Sequence, residues 1–375
     1  MTDTAARLFN AFDRGFLTRR QLLLALGVAV VARPLSTLAQ GSCGGARAGT
    51  PECNAKMLPL PFAPTGWSTV LLDHFSMQVA DYKKEAAYFA ALMNWKIRSD
   101  DGTKALLDIG DWGGIMIRGG LTPPAPPTPP AAPPAGAAAA GAAAGGGRGG
   151  GGGRGGARRA VFDGFCWGIT PWDTKTVEAE LKKRGLDPIA DHDGKDFQSF
   201  HVKDPGGFDL QISNGNTRNR RTTPAKGTVG VPAPFESTAW KTVWLDHISY
   251  QVADYKANVA FYQALLGWKP GVDEGSQNET QAGPVGGLII RGGNSLAPAW
   301  APGSPAATRA TTIGHISFGI TPFEPDAVKA ELDKRGLSAR VDTGGSEDIH
   351  TATYKSYHTT TPNGFDLQIS NVTKA

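Results

Sequence analysis

Leu245-Asp246-His247-Ile248-Ser249-Tyr250-Gln251-Val252-Ala253-Asp254-Tyr255 is the stretch on which the fold turns. Its alternation of apolar and polar residues predicts a strand with His247, Ser249 and Gln251 on one face. Asp254 stands where an N-cap belongs. Tyr255, Val259, Tyr262 and Leu266 then recur at helical spacing, and Gly267 supplies a helix stop. The stretch therefore reads as a strand running into a helix, with a histidine carried on the strand.

The same stretch occurs earlier as Leu72-Asp73-His74-Phe75-Ser76-Met77-Gln78-Val79-Ala80-Asp81-Tyr82, with Asn94 in the place of Gly267. Short strands follow in both copies, ending Ile117-Arg118-Gly119-Gly120 and Ile290-Arg291-Gly292-Gly293. The offset from His74 to His247 equals that from Arg118 to Arg291, so this unit keeps its length. A second unit begins at Phe162-Asp163-Gly164-Phe165-Cys166-Trp167-Gly168-Ile169-Thr170-Pro171 and returns as Ile313-Gly314-His315-Ile316-Ser317-Phe318-Gly319-Ile320-Thr321-Pro322. Both second units close on the same strand, Phe208-Asp209-Leu210-Gln211-Ile212-Ser213 and Phe365-Asp366-Leu367-Gln368-Ile369-Ser370. Four strand–helix–three-strand units in two pairs make a duplication at two levels. The fold class read from this is α+β, four βαβββ units paired into two half-barrel domains whose strands bend round a cavity.

The domain plan follows. Residues 1–39 read as an export signal: Thr18-Arg19-Arg20-Gln21-Leu22-Leu23 leads into the apolar run Leu22–Val31 and small residues up to Ala39. The paired arginines resemble the twin-arginine type, which places the mature protein in the periplasm or outside the cell, with no stable membrane insertion after cleavage. A flexible segment, 40–66, holds Cys43 and Cys53, either pairable in an oxidising compartment or two thiols in a Gly-rich tail. Domain 1 spans 67–216 with an insertion, 121–160, made almost wholly of Pro, Ala, Gly and Arg, which cannot bury a core. A linker, 217–239, leads to domain 2 at 240–373. The net charge of +4 is misleading, since the leader holds five Arg against two Asp and the insertion four Arg and no acid. The folded remainder is slightly acidic, which argues against a nucleic-acid surface.

Asp246-His247-Ile248, Phe261-Tyr262-Gln263-Ala264-Leu265-Leu266-Gly267-Trp268, Gly314-His315-Ile316 and Asp204-Pro205-Gly206-Gly207 resemble the vicinal oxygen chelate superfamily. This superfamily includes glyoxalase I, bleomycin- and fosfomycin-resistance proteins, methylmalonyl-CoA epimerase and extradiol dioxygenases. The resemblance covers 68–216 and 241–371. It implies a half-barrel holding a divalent metal that chelates two oxygens of a small-molecule substrate. The dioxygenase pattern of two His and one Glu falls on His247, His315 and Gln368 as metal ligands. Such a set suits Fe(II) first, with Mn or Zn as alternatives. The departure is Gln368, a neutral amide where the pattern has Glu; Asp366 shares its strand face and offers a carboxylate. His358, ten residues before Gln368, is a candidate acid or base. Domain 1 keeps His74, His201 and Gln211 but has Gly164 where His315 stands, so it reads as a degenerate copy.

The function implied is an exported metalloenzyme acting on a small oxygen-rich molecule, with extradiol ring cleavage ahead of glyoxalase-type lyase or isomerase chemistry. The alternative is a metal-free periplasmic protein that binds or sequesters a small molecule.

Overall fold

The computed structural model describes residues 58–110, 112–122, 160–192, 196–215, 229–296, 301–305, 307–345 and 347–373. The leader, Cys43, Cys53 and residues 123–159 of the insertion lie outside the described residues. Among the described residues, no helix is long and apolar enough to cross a membrane.

Domain 1 is built from β1 (Ser68–Val79), α1 (Tyr82–Leu92), β2 (Lys96–Asp100), β3 (Lys104–Ile109), β4 (Gly113–Arg118), β5 (Ala160–Thr170), α2 (Thr174–Lys183), β6 (Ile189–Ala190), β7 (Ser199–Lys203) and β8 (Asp209–Ser213). Domain 2 repeats it as β9 (Lys241–Asp254), α3 (Tyr255–Leu266), β10 (Lys269–Asp273), β11 (Gln277–Ala282), β12 (Gly286–Gly293), β13 (Thr312–Thr321), α4 (Pro325–Lys334), β14 (Arg340–Asp342), β15 (Ser356–Thr360) and β16 (Asp366–Ser370). Each domain is one mixed eight-stranded sheet, ordered β2-β3-β4-β1-β5-β8-β7-β6 and β10-β11-β12-β9-β13-β16-β15-β14. The two units of a domain meet at the antiparallel pairs β1–β5 and β9–β13. This is the α+β plan of paired βαβββ units expected from the repeat.

Local chemistry sets the element ends. Asp254 caps α3, accepting from the backbone N–H groups of Lys256 at 3.0 Å and Ala257 at 3.2 Å. Gly267 ends α3 in the left-handed region at φ 67°, and a Cβ there would sit 2.5 Å from the Trp67 carbonyl oxygen. Its counterpart Asn94 takes the same conformation at φ 56°, which a short polar side chain tolerates. The polar strand β2 and the two-residue β6 were not legible from hydrophobic pattern, because they are edge strands with exposed or half-buried side chains.

The two domains pack through reciprocal contacts. Trp95 Nε1 donates to Thr242 Oγ1 at 2.8 Å, and its counterpart Trp268 Nε1 donates to Thr69 Oγ1, also at 2.8 Å. Phe89 stacks on Trp95 with ring centroids 4.8 Å apart, and Tyr262 stacks on Trp268 at 4.5 Å. Each such pair contributes about 0.5–1.5 kcal/mol beyond its buried area.

Candidate metal centre

One irregularity in β9 shapes the site. Leu245 pairs with Gly286 on one side and Phe318 on the other, and His247 pairs with Gly287 and Ser317. Asp246 is skipped on both sides. This bulge breaks the alternation and brings the side chains of Asp246 and His247 to the same cavity. Strand β1 carries the same bulge at Asp73, between the pairs Leu72–Trp167 and His74–Cys166.

The cavity of domain 2 has a volume of about 860 Å³, and Asp246, His247, Glu279, Arg291, His315 and Tyr354 are among its lining residues. His247 Nε2 and His315 Nε2 lie 3.0 Å apart. Two bare imidazole lone pairs at that distance repel, so a proton or a cation belongs between them. Nitrogens bound at about 2.1 Å to one ion and about 90° apart lie about 3.0 Å from each other. The Oδ2 of Asp246 is 3.4 Å from His247 Nδ1 and accepts hydrogen bonds from Ser317 Oγ at 2.7 Å and Tyr354 OH at 3.0 Å. A carboxylate on Nδ1 fixes the tautomer that presents Nε2 as a donor to metal. Burial raises the Asp246 carboxyl, but hydrogen bonds from His247, Ser317 and Ser370 hold it below the usual range. Burial pushes His315 down to about 3, with the charges of His247 and His358 acting the same way. His315 is therefore a neutral imidazole at physiological pH, the form that ligates.

Gln368 lies across β16 from Ser317 and is fully buried. Its amide orientation is fixed by its neighbours. Ser356 Oγ donates to the Asp342 carbonyl at 2.7 Å, so it can only accept from Gln368 Nε2, 2.8 Å away. Tyr354 OH donates to Asp246 and accepts from Gln368 Nε2 at 2.9 Å. A chain of hydrogen bonds thus runs from Gln368 through Tyr354 and Asp246 to His247. The other end of the amide, Oε1, is buried with no hydrogen-bond partner. A buried orphan acceptor costs about 1–3 kcal/mol unless something pairs with it, and a cation is one such partner. The two imidazole nitrogens are spaced as ligands of one divalent ion, and Gln368 offers an unpaired amide oxygen on the neighbouring strand β16.

His358 and Asp366 are committed elsewhere. His358 Nδ1 is 3.0 Å from Asp366 Oδ2 and its Nε2 is 3.3 Å from Asp342 Oδ2. Burial pulls His358 down, but Asp342 and Asp366 together hold it up at about 9. Asp366 also takes Arg340 Nη2 on Oδ1 at 2.5 Å. The one histidine is an imidazolium with both nitrogens engaged, and the carboxylate at 366 is paired twice. His315 Nε2 or Nδ1 lies within 4.8 Å of this pair.

Domain 1 repeats the outer part of this network and keeps the inner Asp–His pair without a second imidazole; Asp73, His74 and Cys166 bring their ligand atoms within 4.8 Å of one another there. His201 Nδ1 is 2.7 Å from Asp209 Oδ2 and its Nε2 is 3.4 Å from Asp191 Oδ2. Gln211 Nε2 donates to Ser199 Oγ at 2.8 Å and Asp191 Oδ2 at 3.1 Å. His74 Nδ1 is 2.8 Å from Asp73 Oδ1 and both are buried, but Gly164 offers no second imidazole. A Cβ at Gly164 would already sit 3.2 Å from Asp209 Oδ2. Phe197 stands where domain 2 has Tyr354, so the link from the amide to the bulge carboxylate is missing.

Of the residues picked from sequence, His247 and His315 converge, Gln368 lies behind them with its oxygen unpaired, and His358 sits at the edge in an ion-pair cluster. Asp246, Tyr354 and Asp342 escaped sequence reading. Asp246 would have been assigned to the opposite strand face, because a bulge leaves no mark in an alternation. Tyr354 sits in the loop before β15, where no strand pattern marks it.

Residues 244–369 match the family described as the Glyoxalase/Bleomycin resistance protein/Dioxygenase superfamily. No curated protein matches the chain. Several solved structures share its fold. The Mn(II)-bound glyoxalase from Novosphingobium aromaticivorans is 14% identical, with a TM-score of 0.51, over 81% of this chain and 82% of that one. Homoprotocatechuate 2,3-dioxygenase from Arthrobacter globiformis is 14% identical, TM-score 0.51, over 84% and 83%. An extradiol ring-cleaving dioxygenase from B. fuscum is 15% identical, TM-score 0.52, over 85% and 75%. At such identities these structures show the fold alone. Domain 2 thus carries the match to the glyoxalase/bleomycin resistance/dioxygenase superfamily, and domain 1 repeats its strand order.

Proposed function

We propose that this chain is a metal-dependent enzyme acting on a small oxygen-rich molecule in the cavity of domain 2. The observation that carries the reading is the 3.0 Å approach of His247 Nε2 to His315 Nε2 in that cavity. His247, His315 and the Gln368 Oε1 atom would hold the ion. When bound, it supplies Lewis-acid polarisation of vicinal substrate oxygens and, as Fe(II), a route to O2 chemistry. Asp246 keeps His247 oriented, and Tyr354 ties Asp246 to Gln368 so that all three move together. His358 is protonated near neutral pH, which leaves it the role of acid or of fixed positive charge rather than base. Ring-cleaving oxygenase chemistry stands ahead of glyoxalase-type chemistry, since two His with one oxygen donor suits Fe(II). Export through the twin-arginine-type leader completes the proposal.

The second reading is a metal-free binding protein. The neutral amide at Gln368, with its nitrogen tied into the network, favours it. Metal content separates the two. The full chain, purified without chelator, is expected to carry about one divalent ion, lost in His315→Ala and kept in His74→Ala. Absence of metal in the wild type, even after reconstitution with Fe(II), would overturn the enzyme reading. With metal present, O2 uptake with catechol tests the oxygenase branch.

A further inference from the structure

Arg118 and Arg291 occupy the same place in the repeat, at the ends of β4 and β12. Their surroundings differ. Arg118 makes a salt bridge through Nη2 to Asp163 Oδ2. The position equivalent to Asp163 in domain 2 is Gly314. The Arg291 side chain consequently makes no salt bridge or hydrogen bond among the described residues; its Nε, like that of Arg118, is buried without a partner. It nevertheless lines the cavity that holds His247 and His315. Burial lowers its pKa, and its charge in turn weighs on His315, so the guanidinium and the imidazole share one electrostatic environment. A half-buried guanidinium with no partner gains little from the protein around it. It becomes favourable when a ligand brings the anion, because guanidinium and carboxylate pair in a two-pronged, charge-assisted geometry.

We propose that Arg291 is the anion subsite of this cavity and that the substrate carries a carboxylate in addition to the oxygens directed at His247 and His315. This rests on the metal-site reading above for the second half of the statement only. A monoanion fits better than a dianion. Asp246, Glu279 and Asp342 line the same cavity, and Glu274 and Asp342 are the acids whose field reaches Arg291. They would repel a phosphate monoester more than a carboxylate. The loss of the Asp163 equivalent is what makes the subsite: the duplicated arginine is quenched in domain 1 and left available in domain 2.

Anaerobic titration calorimetry on the full chain, loaded with Fe(II), tests this with 3,4-dihydroxybenzoate, catechol, benzoate and phenyl phosphate as probes. Dihydroxybenzoate is expected to bind about 10- to 100-fold more tightly than catechol, the range of a charge-assisted pair. Arg291→Gln should abolish that preference and leave catechol within about twofold. Gly314→Asp should do the same by restoring the partner found in domain 1. The new Cβ would meet Gln251 Nε2 at 3.0 Å, the movable end of a side chain, so this variant should fold. Equal binding of dihydroxybenzoate and catechol would overturn the subsite and leave the metal reading standing. Arg291-dependent binding of benzoate without any binding of catechol would keep the subsite and sink the oxygenase branch of the metal reading. Tighter binding of phenyl phosphate than benzoate would overturn the carboxylate assignment, and no binding of any probe would overturn the subsite.

Discussion

The two cavities are built on the same strands and differ in what they can hold. Domain 2 encloses about 860 Å³ and domain 1 about 470 Å³. Both domains keep a bulged Asp-His pair on the first strand, a His between two carboxylates on the outer strand and a Gln beside it. The differences nearest the two histidines are His315 against Gly164, Gly314 against Asp163, Tyr354 against Phe197 and Ser317 against Cys166. In domain 1 the arginine is neutralised, the second imidazole is gone, and Asp209 crowds the place where it would stand. Function in this chain is a property of a few inward side chains on a framework that is otherwise shared.

The sharpest way to break the comparison is to convert one domain into the other. His315→Gly gives domain 2 the residue of domain 1. It removes one of two nitrogen ligands, and metal affinity is expected to fall by well over the factor of about 100 seen for supporting residues. Metal analysis after dialysis against competing chelator reads this directly. Retention of full metal by His315→Gly would show that the imidazoles do not form the site.

A smaller effect is expected from the bulge carboxylate. Asp246→Asn keeps the shape but weakens the hold on His247 Nδ1, and should lower metal affinity about 10- to 100-fold. Asp73→Asn, the same change in domain 1, should leave metal content unaltered. Equal losses in the two variants would mean that both domains bind metal, and the contrast between them would fail.

Much of this was legible in sequence. The duplication and the capped helices follow from repeated residues and from periodicity, and the pairing of His247 with His315 from the resemblance to the vicinal oxygen chelate pattern. What remained hidden depends on register. The bulge at Asp246 changes which side chains share a face, and no alternation pattern reports it. The commitment of His358 to two carboxylates depends on Asp342, which reaches it from a short edge strand across a loop. Arg291 was visible as a repeat landmark, and its meaning lay in the position opposite, where Gly314 replaces Asp163. That signal was in the sequence, but only a knowledge of which strands are neighbours turns it into a statement about charge.

The domain interface repeats the lesson with different chemistry. Asp204, in the loop before β8, is buried against domain 2 and accepts hydrogen bonds from Tyr250 OH and from Tyr262 OH, the latter at 3.1 Å. The matching loop of domain 2 reaches back differently, Asn363 Nδ2 donating to the buried Glu85 Oε2 at 2.7 Å. Asp204→Ala strands two buried tyrosine hydroxyls and should cost about 2–4 kcal/mol of stability in denaturant unfolding. Asp204→Asn is the finer probe.

Burial raises the Asp204 carboxyl, outweighing hydrogen bonds from Tyr250, Phe208, Tyr262 and Gly206 that favour its charged form. A carboxyl raised in the folded state contributes stability that is fully present below its unfolded value, near 4, and is lost as pH rises through the folded value. Wild type therefore carries the cost of a buried charge at neutral pH, and an amide in its place does not. Asp204→Asn should accordingly gain on wild type as pH climbs from 4 to 8, by about 1 kcal/mol or less. Thermal melts of both proteins across that range provide the measurement. A difference that stays flat with pH would show that the interface holds the carboxylate as comfortably as water does, and that the asymmetry between Asp204 and the Glu85–Asn363 pair is one of shape rather than charge.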